Sequence, residues 1–367
     1  MINDSPSSLK ICLVIHSLGI GGMERVMSII ANYIAEQNNA EVDLVLIGLD
    51  RNIEYQLSDK VQVHRPPFSF SNSRRTYDTV RTMIFLHRKL KELKPNCVLS
   101  FGEMWNNLVL ISAIGTGCKV YISDRSKPGK DLGRLHNKLR DFLYPKASGY
   151  VAQTNLAAQL CRSNKWNENI KVIGNPINRI PKSSDSQKDN TVLFVGRLIK
   201  TKHVDQLIKI FHEIDNREWK LCIVGGDAKR LSLSKELDKL VKKLGVGEQI
   251  LLEGEQHNMA QYYNRSKIFA FPSSSEGFPN VIGEALSAGL PVVAYDCIAG
   301  PSDMINDGEN GFLIELFNKE VFKRKLKLLM KDEELREEMS RKAKQSISKF
   351  ESNKIAEEFY NFITGSK

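Results

Sequence analysis

Phe271-Pro272-Ser273-Ser274-Ser275-Glu276-Gly277-Phe278-Pro279-Asn280-Val281-Ile282-Gly283-Glu284-Ala285-Leu286-Ser287-Ala288-Gly289-Leu290-Pro291 is the stretch that decides how this 367-residue chain folds. It follows a short apolar run, Lys267 to Phe271, too short for a helix. A Ser/Gly turn comes next, Pro279 stands where a first helical residue belongs, and Gly289 marks the helix stop before a second apolar run, 291–295. Strand, turn, helix and strand in that order make one unit of a parallel sheet with a crossover helix. Two carboxylates sit inside it: Glu276 ahead of the helix, and Glu284 about one and a half turns within it. Free N–H groups near Gly277 and Phe278 can meet a phosphate or sugar oxygen. Glu276 can accept from sugar hydroxyls, and Glu284 can accept two hydrogen bonds from a ribose diol.

The same alternation extends outward over most of the chain. Strands are expected at 10–16, 42–48, 96–101, 119–123, 148–152 and 170–173, then at 191–195, 220–224, 250–253, 267–271, 291–295 and 311–314. Each series is long enough for its own doubly wound α/β domain. The polar segment 181–190, without an aliphatic side chain after Pro181, reads as a linker. Beyond residue 318 the pattern is helical and charged through 319–331, 333–349 and 352–363. The expected organisation is an N-terminal domain over 1–180, a linker over 181–190, a second domain over 191–350, and a terminal helix in 351–367.

Composition excludes other classes. With 41% hydrophobic and 26% charged residues, the chain is neither disordered nor fibrous. The six cysteines have no C-x-x-C spacing and read as reduced thiols. No apolar run approaches a spanning length and residues 1–10 lack a signal-peptide core, so a cytoplasmic location is expected. Of the net charge of +10, residues 1–180 carry nearly all, 24 Lys and Arg against 15 Asp and Glu, which favours a polyanionic partner. No aromatic-basic ribonucleoprotein pattern, helix-turn-helix or zinc spacing directs that charge to nucleic acid.

Two further loops carry chemistry. After the first strand, Ser17-Leu18-Gly19-Ile20-Gly21-Gly22 leads into a helix, a G-x-G-G spacing that departs from the dinucleotide fingerprint. Its glycines either let the backbone approach a phosphate or sugar or make a tight turn. After strand 191–195, Arg197 and Lys202 precede a helix near His203, and two cations with a helix N-terminus suit a diphosphate.

Together these residues resemble the retaining family-four glycosyltransferases of the GT-B fold. The resemblance rests on Arg197 with Lys202, on Glu276-Gly277-Phe278 followed by Glu284, on Ala288-Gly289-Leu290-Pro291-Val292-Val293, and on Gly21-Gly22-Met23-Glu24-Arg25-Val26, with Met23 where alanine is usual. It spans residues 10 to about 350. It implies two Rossmann-like doubly wound domains facing a cleft, with the nucleotide-sugar donor on the second and the acceptor on the first. Carried over residue by residue, Arg197 and Lys202 would neutralise the donor diphosphate, Glu276 would contact the donor sugar, and Glu284 would hold the ribose. Gly277 and Phe278 would lie against the donor, and Gly21 and Gly22 would approach its diphosphate. The terminal helix would cross back to the first domain. No metal or other cofactor is implied, in keeping with the absence of an Asp-x-Asp at a strand end. Where many relatives keep a histidine after the fourth expected strand, this chain has Asp124 and Arg125, which either meet substrate or pair with each other.

The segment 296–305 looks more like UDP-sugar relatives of bacterial glycolipid and polysaccharide assembly than like GDP-mannose users. The implied activity is transfer of a hexose or N-acetylhexosamine to a glycan or lipid-linked acceptor. A GDP-sugar transferase, a GT-B epimerase and a silent nucleotide-binding scaffold are the alternatives. The basic segment 65–94, with Tyr77, Val80, Ile84, Leu86, Leu90 and Leu93 interleaved, is expected to touch an anionic inner membrane or a polyprenyl diphosphate, or to be a crossover helix with a solvated back.

Overall fold

The computed structural model describes residues 8–37, 40–48, 51–182, 188–228 and 231–366. The chain forms two units, Met1–Pro176 with Ser352–Lys367, and Ile177–Glu351. Residues 183–187 of the expected linker lie outside the described residues. The change of unit falls at Pro176, because the segment after it is tied into the second unit: Ile177 N–H donates to the Phe350 carbonyl at 2.8 Å and Ile180 N–H to Ser287 Oγ at 3.0 Å.

The first unit is built on a seven-stranded parallel sheet: β1 (Leu9–Ile15), β2 (Ala40–Leu46), β3 (Val61–His64), β4 (Cys97–Phe101), β5 (Lys119–Ser123), β6 (Gly149–Ala152) and β7 (Ile170–Val172), in the order β3-β2-β1-β4-β5-β6-β7. β3 is the strand absent from the expected set. It is an edge strand of four residues with only Val61 buried, so it carries no apolar run to read. Its tie to β2 is polar, a 2.6 Å hydrogen bond between His64 Nε2 and Asp43. The unit's helices are α1 (Gly22–Ala35), α2 (Arg75–Leu93), α3 (Glu103–Ser112), α4 (Arg134–Leu143) and α5 (Asn155–Ser163).

Helix α2 turns a different face inward than its apolar residues suggest. Asp78, Thr82, Leu86 and Leu90 are its buried positions, at helical i, i+4 spacing. The buried Asp78 carboxylate accepts the Ser71 N–H at 2.9 Å. Tyr77, Val80 and Ile84 are left outside, 60%, 50% and 47% exposed, beside exposed Arg74, Arg75 and Arg88.

The second unit has six parallel strands, β8 (Thr191–Val195), β9 (Lys220–Val224), β10 (Ile250–Gly254), β11 (Ile268–Phe271), β12 (Val292–Tyr295) and β13 (Gly311–Ile314), in the order β10-β9-β8-β11-β12-β13. Its helices are α6 (Val204–Ile214), α7 (Leu233–Leu244), α8 (Met259–Arg265), α9 (Asn280–Ser287), α10 (Pro301–Met304), α11 (Lys319–Lys331) and α12 (Glu333–Ser346); α13 (Ser352–Thr364) packs on α1 and β4 of the first unit. α6 is amphipathic in the ordinary way, with Val204, Leu207, Ile208, Phe211 and Ile214 buried in a core shared with Phe194, Trp219 and Phe322. Pro279 precedes α9 and is not its first helical residue, since its ψ of 78° is non-helical. Gly300 crowds the Pro279 ring, where an added Cβ would come within 2.1 Å of Pro279 Cδ.

Strand order reverses between β1 and β4 and again between β8 and β11. Such switch points open crevices at the carboxyl ends of the strands, where α/β sheets bind ligands. In the second unit that end is drawn together by backbone bonds: Gly196 N–H to Val224, Leu198 N–H to Gly226 at 2.8 Å, and Gly225 N–H to Gly254 at 2.7 Å. Gly225 has φ 150°, and a Cβ there would lie 1.9 Å from the Gly196 carbonyl oxygen. Gly225→Ala is therefore expected to lose roughly 1–3 kcal/mol through backbone strain, with a fall of several degrees in Tm. A thermal melt matching that of wild type would overturn this account of the turn.

Candidate functional site

At the β8–β11 switch point, two loops are clamped together. Ser274 N–H donates to the Thr201 carbonyl at 2.9 Å, and His203 Nε2 shares a 2.8 Å hydrogen bond with Ser274 Oγ. Burial holds the His203 imidazole below its usual pKa, which keeps it neutral at pH 7. The clamp sets Lys202, in the short 3-10 turn before α6, against Glu276: Lys202 Nζ donates to Glu276 Oε1, and the two side chains are 13% and 14% exposed. The lysine stem passes Gly196, whose hypothetical Cβ would be 3.7 Å from Lys202 Cε, and its ammonium lies 5.2 Å from the centre of the Phe271 ring. An ammonium with three donors can hold the carboxylate with one and still reach an anion with the others.

Arg197 lies in the loop two residues past the end of β8, is exposed, and has no hydrogen-bond or ion-pair partner among the described residues. A guanidinium so placed keeps all of its donors for a ligand. Gly277 and Phe278 follow Glu276, and Phe278 packs edge-on against Phe350 at 5.8 Å. On α9, Glu284 Oε2 accepts a 2.9 Å hydrogen bond from the hydroxyl of Tyr263, which is on α8. Arg197, Lys202, Glu276, Gly277, Phe278 and Glu284 thus all belong to the second unit. Tyr263 was missed because its sequence reads as a core aromatic and no spacing says which carboxylate it meets.

The first unit holds the remaining candidates. Gly21 is extended, with φ −178°, and its N–H and carbonyl are both engaged by the Tyr55 hydroxyl, at 3.0 and 2.8 Å. A Cβ on Gly21 would fall 2.2 Å from Glu24 Oε2, so this chain's own carboxylate lies against Gly21. Gly22 begins α1. Glu24 is 3.2 Å from His16 Nε2, and His16 stacks on Trp105 at 5.9 Å. Burial would raise the Glu24 pKa, but the His16 hydrogen bond and local backbone N–H groups outweigh it and hold the carboxyl below its usual value.

Asp124 and Arg125 do not pair. Asp124 Oδ1 accepts from the Tyr144 hydroxyl at 2.6 Å and Asn106 Nδ2 at 2.9 Å, while Oδ2 accepts from the Tyr150 hydroxyl at 3.3 Å. Arg125 reaches Asn175 Oδ1 at 2.6 Å and lies over the Phe101 ring at 4.4 Å. Burial raises the Asp124 pKa to about 6 despite the hydrogen bonds, and burial lowers that of Arg125 to about 9. Glu103, at the start of α3, collects Ser126 Oγ and Lys130 Nζ. That network was not foreseen either, since its members are spread from α3 through the loop after β5 to Tyr144 and to Tyr150 on β6.

Comparison with known proteins finds a family match within the second unit. Residues 177–346 fit the family model described as Glycosyl transferases group 1. A Campylobacter jejuni GalNAc-alpha-(1->4)-GalNAc-alpha-(1->3)-diNAcBac-PP-undecaprenol alpha-1,4-N-acetyl-D-galactosaminyltransferase is 26% identical over 362 residues, 97% of this chain and 98% of that one. Among solved structures, the apo form of the lipopolysaccharide outer core galactosyltransferase WaaB superposes with a TM-score of 0.78 at 20% identity, covering 98% of this chain and all of that one. Anabaena HepE in complex with UDP gives 0.81 at 17% identity, over 97% of this chain and all of that one.

The raised Asp124 pKa has a stability consequence of definite sign. The folded state binds this proton more tightly than the unfolded chain, whose carboxyl titrates near 3.8. The stabilisation is complete below that value and is lost as pH rises through about 6. Asp124→Asn removes the titration, so its stability relative to wild type is expected to improve by up to about 3 kcal/mol between pH 4 and pH 8. Urea unfolding across that range measures the slope, and parallel curves for the two proteins would contradict the assignment.

Proposed function

We propose, from the fit of residues 177–346 to the group 1 glycosyltransferases and the full-length likeness to bacterial glycosyltransferases, that the chain moves a hexose or N-acetylhexosamine from a UDP-sugar to a glycan or lipid-linked saccharide in bacterial surface-polysaccharide or glycolipid assembly, with retention at the anomeric carbon. The observation that carries this reading is the Lys202–Glu276 pair, which joins the loops leaving β8 and β11 at the switch point, with Arg197 on the same β8 loop unpartnered among the described residues and Glu284 held by Tyr263 on the helix that follows. Cations, backbone N–H groups and hydroxyl acceptors are what a nucleoside diphosphate sugar presents complements for.

In this reading Arg197 and Lys202 bind the diphosphate and stabilise it as it leaves, the work a metal ion would otherwise do. Lys202 keeps Glu276 oriented towards the donor sugar hydroxyls, and Glu284 takes the ribose. The bond from the anomeric carbon to the diphosphate oxygen breaks, and a bond from the same carbon to the acceptor oxygen forms on the same face. The acceptor proton passes to a phosphate oxygen of the leaving group, so no enzyme nucleophile is needed. Asp124, whose two oxygens are occupied internally, acts on the shape of the loop after β5 and not on the acceptor.

Calorimetry with UDP, GDP and NAD in the absence of metal tests the nucleotide site. UDP is expected to bind and to weaken at least about tenfold in Glu284→Ala, as for loss of a hydrogen bond to a charged group. Glu276→Ala is expected to bind UDP and lose turnover. GDP preference redirects the donor to GDP-sugars, nucleotide binding without transfer leaves the epimerase or scaffold, and absence of nucleotide binding overturns the proposal.

The outer face of α2 supports an anionic membrane surface as the place where the acceptor is met, on the cytoplasmic side. Exposed Tyr77, Val80 and Ile84 are flanked by Arg74, Arg75 and Arg88. Beside them a cavity of about 400 Å³ is lined by Phe68, Arg81, Ile84, Arg88 and Lys89. Among the described residues no helix is long and apolar enough to cross a membrane. Wild type is expected to float with phosphatidylglycerol vesicles and not with phosphatidylcholine alone, and Arg74/Arg75/Arg88→Glu to remain at the bottom. Arg81 is spared because its guanidinium covers the Phe68 ring at 4.0 Å and faces buried Asp78. Equal flotation of the two proteins would exclude this surface.

A further inference from the structure

We propose that Tyr263 is a positioning residue that holds one carboxylate oxygen of Glu284, so that the other is presented to the ribose and selects a ribonucleotide over its 2′-deoxy form. The inference rests on the reading of Glu284 as the ribose ligand.

Tyr263 is fully buried, and its ring stacks on Phe269 of β11 at 6.1 Å and 29°; Phe269 in turn stacks on Phe271 at 6.4 Å. The aromatic column fixes where the hydroxyl points, and a buried hydroxyl needs a partner. Its partner is Glu284 Oε2 on α9, the neighbouring helix in sequence. Burial, with Glu284 adding to it, pushes the phenol pKa well above its usual value, so the hydroxyl remains a donor throughout the neutral range. Glu284 itself is half-buried, and its Oε1 accepts no hydrogen bond among the described residues. A glutamate carboxylate otherwise turns freely about its last torsion, which is broad and two-fold. Anchoring one oxygen removes that freedom before the ligand arrives and leaves a single acceptor in one direction. A ribose lacking the 2′-hydroxyl leaves the presented Oε1 short of a donor, whereas an unanchored carboxylate can turn to the 3′-hydroxyl or to water.

Tyr263→Phe keeps the ring and removes only the donor. Calorimetry with UDP and 2′-deoxy-UDP on wild type, Tyr263→Phe, Glu284→Ala and the double variant tests the coupling; GDP and 2′-deoxy-GDP replace them if UDP is not bound. Tyr263→Phe is expected to bind UDP about tenfold more weakly, to lose less affinity for the deoxy form, and so to show a lower ratio between the two. The double variant is expected to bind no more weakly than Glu284→Ala. A tyrosine that only fills the core would lower Tm and leave the ratio at the wild-type value, and the ratio does not depend on how much of the sample is folded. If Glu284→Ala weakens UDP and Tyr263→Phe keeps the wild-type ratio, the positioning role alone is overturned. If Glu284→Ala binds UDP as wild type does, the ribose assignment fails and the positioning role with it.

Discussion

Every strand in both sheets runs parallel to its neighbours, and this obliges each connection to cross a face of the sheet. Helices therefore cover both faces, the central strands are largely apolar, and most polar chemistry is pushed to the loops at the strand ends. The core of Phe194, Phe211, Trp219 and Phe322 follows from that covering. So does the position of Arg197, Lys202 and Glu276, all in loops that leave the carboxyl ends of β8 and β11.

At that end the electrostatics are arranged in advance. Lys202 and Glu276 neutralise each other while both are mostly withdrawn from water, which limits the cost of burying either alone. Ser274, Thr201 and His203 hold the two loops that carry them, so the pair depends on side-chain and backbone bonds that join segments over 70 residues apart. Glu284 is held separately, from α8, by an aromatic column that reaches back into the sheet. The Lys202–Glu276 pair and Glu284 are thus oriented by different parts of the second unit.

The first unit shows the opposite use of charge. Asp124, Glu103 and Glu24 are turned towards this chain's own donors: Tyr144, Tyr150 and Asn106 for the first, Ser126 and Lys130 for the second, His16 for the third. Gly21, expected to let a ligand approach, has the Glu24 carboxylate beside it. On α2, burying Asp78, Thr82, Leu86 and Leu90 leaves arginines and three large apolar side chains facing solvent.

Strand and helix positions were readable because apolar runs and helical spacing are local: β5, β8, β9 and β13 lie where their residue patterns place them. The candidate residues of the second unit could be picked out for a related reason, since Glu276, Gly277, Phe278 and Glu284 occur within a single strand-turn-helix. β3 escaped because an edge strand with one buried residue has no pattern, and the inward face of α2 because burial of Asp78 depends on the Ser71 backbone across a turn. Residue types and their spacing along the chain determined the two-sheet architecture and the chemistry available. Only the tertiary structure decided which carboxylate meets which donor, as with Tyr263 and Glu284 or Asp124 and Tyr144, because those partners are far apart in sequence and come together only when the helices pack.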